Sequence, residues 1–141
     1  MKYIYILLLT ALAFTSCHKM DIGYLETWAA KYQEDQMTVR KTPDPYEDWA
    51  QVEYGSDWVS DPLEGVQGTN PRKITISSVV SPDGGNVETF LKEVTLRGDG
   101  TFTVPVENNI PLGTYVVSLS VSNEDHSHIL KDIFTIIVVE Q

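Results

Sequence analysis

Apolar residues in the second half of this sequence recur at every other position, in short runs broken by turn-forming clusters. In "GTYVVSLSVSN", Tyr115, Val117, Leu119 and Val121 fall on one face and Val116, Ser118, Ser120 and Ser122 on the other. That period-2 pattern predicts a half-buried antiparallel strand. "RKITISSVV" sets Ile74, Ile76, Ser78 and Val80 together, and "ETFLKEVTLR" does the same for Phe90, Val94 and Leu96. "TFTVPV" aligns Phe102, Val104 and Val106, with Pro105 marking an edge or irregular strand. The last run, "ILKDIFTIIVVE", is apolar on both faces, which predicts a strand that is central or covered by the N-terminal part. "SPDGGN", "RGDG", "ENNIPLG" and "NEDHSH" punctuate these runs as turns. Five strands here, with one or two before residue 71, predict an all-β antiparallel sandwich of about seven strands.

The pattern changes toward the N-terminus. In "IGYLETWAAKYQED", Ile22, Leu25, Trp28, Ala29 and Tyr32 stand at helical spacing, with Asp21 placed to cap. This predicts a short helix over 22–33, of a length that is marginal in isolation. "QMTVRK" and "AQVEYGSDWV" read as short edge strands around the turn-rich "TPDPYEDW". Ahead of all this, Lys2 precedes the apolar run "YIYILLLTALAF" of 12 residues. A bilayer-spanning helix needs about 20. The run has the length of a signal-peptide core, and the small residues Thr15 and Ser16 follow it. Residues 1–16 are therefore expected to be a leader, 17–45 a tether holding the helix, and 46–141 the sandwich.

Composition narrows the function classes. The chain has 20 acidic and 10 basic residues, for a net charge of −10. No lysine or arginine cluster is present to neutralise phosphates, so a nucleic-acid partner is excluded. Cys17 is the single cysteine, so no intrachain disulfide forms and packing alone must hold the core. Arg97-Gly98-Asp99 lies between two strand patterns and reads as a hairpin turn rather than an adhesion motif. His126 and His128 have the spacing of a zinc pair, but no third ligand is evident. "SPDGGN" has too few oxygen ligands for calcium. No nucleophile elbow, metalloprotease helix or phosphate-cradling loop occurs. The expectation is a protein that is not an enzyme and that needs neither cofactor nor metal.

"FTSC" at the end of the apolar run resembles the lipobox of bacterial lipoproteins, and the chain as a whole resembles Bacteroidetes-type surface lipoproteins. Ser16 fills the small position before the cysteine, Thr15 is a tolerated variant, and Phe14 departs from the usual leucine. The resemblance implies that Cys17 receives lipid. The chain would then be held at the cell envelope, on the outer membrane and surface-exposed, with no thiolate left beside His18. Residues 65–140, with "GTNPRKITI", "DGTFTVP", "IPLGTYVVSLSVSN" and "FTIIVVE", are similar to bacterial Ig-like and cadherin-like modules. Such modules serve as spacers, adhesive domains and parts of glycan-binding lipoproteins.

Residues 18 to about 70 hold all three tryptophans and 11 of the 20 acids. Sugar rings present apolar faces and hydroxyl edges, and aromatic side chains beside polar groups suit both these and protein interfaces. Trp28, Trp49, Tyr54 and Trp58 are thus the candidate contacts for a glycan or a surface protein partner. The competing reading makes these aromatics part of the core. The expected function is a non-catalytic binding or accessory module. The alternative is a structural spacer or a subunit of a surface assembly.

Overall fold

The computed structural model describes Met20 and residues 22–141, so Cys17, the leader and the Asp21 cap lie outside the described residues. The elements run β1 (Leu25–Glu26), β2 (Gln36–Arg40), α1 (Trp49–Tyr54), β3 (Trp58–Val59), β4 (Gln67–Gly68) and β5 (Lys73–Val80). There follow α2 (Val87–Glu93), β6 (Thr95–Leu96), β7 (Phe102–Val104), β8 (Gly113–Ser122) and β9 (Ser127–Val139). A four-stranded sheet has the order β2-β9-β8-β5, a three-stranded sheet the order β3-β7-β6, and β1 and β4 form a separate ribbon. The result is an all-β sandwich. Among the described residues no helix is long and apolar enough to cross a membrane.

The core forms where the inward faces of the two sheets meet. Tyr115, Val117, Leu119 and Val121 of β8 are all fully buried, as their alternation requires. Phe134, Ile136 and Val138 do the same on β9, which lies between β2 and β8. Phe102 of β7 stacks on Phe134 at 4.9 Å between ring centroids, joining one sheet to the other. Phe90 of α2 stacks on Tyr115 at 4.5 Å. The Tyr115 hydroxyl donates to the Pro111 carbonyl four residues upstream at 2.9 Å. This bond ties the start of β8 to the loop that leads into it.

Several expectations are corrected. No helix forms over 22–33. Leu25–Glu26 pairs antiparallel with Gln67–Gly68, and Lys31 bridges Glu64. Pairing along residues 64–68 satisfies backbone groups that a free strand edge would leave open, and it outweighs a marginal helical preference. The core does not begin at residue 46 either. Tyr32 and Val39 are buried core residues, so the segment expected as tether belongs to the sandwich from Leu25 onward. The antiparallel rule has one exception. Between Lys31 and Gln36 the chain passes from the β1–β4 ribbon to the four-stranded sheet, a crossover after which β2 runs parallel to β9, Gln36 opposite Thr135 through Arg40 opposite Val139.

Two expected strands contain helices instead. Asn86 accepts from the Thr89 amide at 3.0 Å and starts α2, whose Phe90 is buried together with Val94. A spacing of four is even, as a strand requires, and also one helical turn, so the pattern fitted both. Trp49–Tyr54 is helical for a local reason. Gly55 adopts φ +60 and donates to the Gln51 carbonyl at 3.0 Å, and the Ser56 amide reaches the Ala50 carbonyl. A left-handed glycine closes such an end at little cost.

Candidate functional site

The crossover that puts β2 beside β9 leaves one flank of the sandwich open. β2 ends the four-stranded sheet and β3 ends the three-stranded sheet. Between them runs a groove of about 720 Å³, with Met37, Trp58, Val59 and Phe134 as its apolar lining. Its polar lining includes the amides of Gln33, Gln36 and Gln51 and the carboxylates of Glu34, Asp35 and Asp61. Gln51 belongs to α1, so the helix borders the same groove.

α1 is held from one side only. None of its residues is buried. Its N-terminus hangs on Asp48, whose buried carboxylate receives Arg40 Nη1 at 2.8 Å and the Asp44 amide at 2.8 Å. Arg40 Nη2 also reaches Glu47 at 2.6 Å. The Asp44 carboxylate accepts the Tyr46 and Glu47 amides, and these bonds hold its pKa below the usual carboxylate range. The loop and helix so fixed carry Tyr46 at 93% exposure, Trp49 at 59% and Tyr54 at 71%. Trp49 and Tyr54 meet edge to face, with ring centroids 5.7 Å apart and planes at 75°.

The four candidate aromatics therefore separate. Trp49 and Tyr54 come together on α1. Trp28 is 84% exposed in the turn after β1, where its indole N–H reaches Glu26 Oε2 at 3.4 Å. Trp58 is only 7% exposed and belongs to the core, so it cannot serve as an exposed sugar platform. Its Nε1 is buried without a hydrogen-bond partner. The sequence reading missed the groove amides. Glutamine carries no motif, and Gln33 and Gln36 come to line one groove with Ser60 and Asp61 only through the folded arrangement of the strands.

The remaining motifs resolve into turns. Arg97 through Thr101 closes a hairpin, with the Gly100 amide donating to Arg97 and the Arg97 amide to Thr101, each at 2.9 Å. Asp99 accepts the Thr101 amide at 3.0 Å, which lowers its pKa. Gly100, at φ +87, packs so closely on Leu63 that a Cβ would lie 2.5 Å from the leucine Cβ. His126 lies in the β8–β9 turn, its amide donating to Asn123 Oδ1 at 3.0 Å, and His128 pairs with Val121 within the sheet. Among the described residues no three His, Cys, Asp or Glu side chains are grouped to hold a metal ion.

Fold and groove together define an all-β sandwich with an open, polar flank and exposed aromatics beside it. A solved structure with this fold is that of a SusE-like, surface-located polysaccharide-binding protein from the heparin utilisation locus of Bacteroides thetaiotaomicron. It aligns at a TM-score of 0.51 and 19% identity, over 85% of this chain and 16% of that one. The likeness is one of fold, and this chain spans 16% of the length of that protein. No protein-family model and no curated protein matches the sequence.

Proposed function

We propose that the chain is an Ig-like module of a lipid-anchored surface protein and that it binds glycan without catalysing a reaction. The observation that carries this reading is the meeting, on one flank, of an amide- and carboxylate-lined groove with a helix that exposes Trp49 and Tyr54. Aromatic faces take the apolar side of sugar rings, while amides and carboxylates take the hydroxyls. The Ig-like assignment draws support from the strand order. The polysaccharide-binding neighbour of the same fold supports the ligand class.

Affinity gel electrophoresis against a panel of soluble polysaccharides tests the reading. At least one should retard the chain, and Trp49→Ala/Tyr54→Ala should weaken that retardation about tenfold, the equivalent of ~1.4 kcal/mol of lost contact. Undiminished retardation of the double variant would remove α1 from the site. A second reading, a structural spacer, is favoured by the match to only 16% of the neighbour's chain. It gains if no polysaccharide retards the protein.

A further inference from the structure

We infer that the β2–β3 groove selects for charge and takes an uncharged sugar chain while rejecting sulfated or uronate-bearing ones. This rests on the glycan-binding reading above and names the substrate class for the same flank. Glu34, Asp35 and Asp61 line the groove, and no lysine, arginine or histidine does. Arg40, the cation of the strand that forms one wall, is already engaged by Asp48 and Glu47. A sulfate or carboxylate lying in the groove would meet like charge with no counterion supplied by the protein. Sulfated-chain recognition normally depends on arginine and lysine forks, which pair with such groups bidentately or as point charges.

Distance does not rescue an anionic ligand. At physiological ionic strength the screening length is about 8 Å, so carboxylates lining the same groove act on its contents largely unscreened. The chain's net charge of −10 adds a long-range field of the same sign, which slows the approach of a polyanion. A neutral chain meets none of this. Gln33, Gln36 and Gln51 each offer two donors and an acceptor, and the groove carboxylates accept hydrogen bonds from sugar hydroxyls. Met37, which is half-buried, and Val59, which is exposed, give the groove an apolar surface for ring C–H faces. At about 720 Å³ the volume lies within the usual range of ligand sites.

The test compares the chain on neutral polysaccharides with heparin and a polyuronate, in affinity gels run at low and at physiological salt. Retardation is expected on a neutral chain, changing less than about twofold with salt. Gln36→Ala/Gln51→Ala should weaken it about tenfold, as two hydrogen bonds are lost. Glu34→Gln/Asp61→Asn should raise the retardation on heparin relative to that on the neutral chain, and an unchanged ratio overturns the charge selection. Circular dichroism confirms that both variants are folded. Heparin or polyuronate binding at least as strong as neutral binding overturns the charge selection and leaves the glycan reading intact. Neutral binding unaffected by the glutamine variant overturns the groove as the site. Failure to bind any polysaccharide, charged or neutral, overturns the glycan reading itself.

Discussion

Trp58 shows how one residue can satisfy a sequence pattern for the wrong reason. It lies in an aromatic, acidic zone, yet it pairs opposite Val104 in β3 and packs in the core. Its indole N–H is buried without a partner, a state that costs about 1–3 kcal/mol. Trp58→Phe removes that unpaired donor and keeps most of the ring, so the two effects should offset to within about 1.5 kcal/mol. Trp58→Ala removes the packing as well and should cost about 3–5 kcal/mol. Urea denaturation midpoints at constant slope measure both. A Trp58→Phe loss as large as the alanine loss would show that the N–H is paired in solution. Gly100 makes a similar point: its place in Arg-Gly-Asp-Gly was legible as a turn residue, but its contact with Leu63 was not.

At the scale of elements, α1 depends on a single strand. Arg40 of β2 holds Asp48 and Glu47, and nothing in the helix is buried to replace that tie. Arg40→Ala leaves the buried Asp48 carboxylate with the Asp44 amide and no cation, a loss of about 1–3 kcal/mol. The loss should be local, because the low-stability parts of a fold open independently of its core. Amide exchange over residues 44–54 should quicken by about one to two orders of magnitude, while β8 exchange stays as it was. Equal acceleration in β8 would mean that the ion pair supports the whole sandwich. The strands themselves were legible in proportion to their regularity. The apolar face of β8 was readable from the sequence, although Ser118 on its other face is buried as well. β5 follows the pattern only through Ile76, because a bulge before Ser78 turns Val79 inward and leaves Val80 exposed. A one-residue insertion reverses every later side chain, and periodicity has no means of locating it. The groove was less legible than the strands, since its walls are brought together by the folded arrangement of the strands and not by spacing.

At the scale of the molecule, the two ends of the sandwich are chemically distinct, and the chain enters at one of them. The Ile22 amide donates to Asp125 Oδ2 at 2.7 Å, and Asn123 Nδ2 donates to the Tyr24 carbonyl at 2.9 Å. Both partners lie in the β8–β9 turn, so that turn marks the end at which the described chain begins. Arg40 pairs with Val139 at the opposite end of β9, and the loop leading to α1 starts there. A strand of this length separates the two ends by roughly 40 Å at ~3.3 Å per residue. Cys17 precedes Ile22 by five residues in the sequence, a reach of at most about 18 Å. If lipid is attached at Cys17, the β8–β9 turn must face the membrane and α1 must point away from it. Two measurements on protein purified from membranes check this. The N-terminal peptide should begin at a diacylglyceryl-modified Cys17 by mass spectrometry. On liposomes, amide exchange at residues 123–127 should slow relative to a Cys17→Ser form, with residues 44–54 unchanged. An unmodified cysteine removes the anchor, and protection of α1 instead of the turn would reverse the orientation, pressing the aromatic flank against the bilayer where no polysaccharide could reach it.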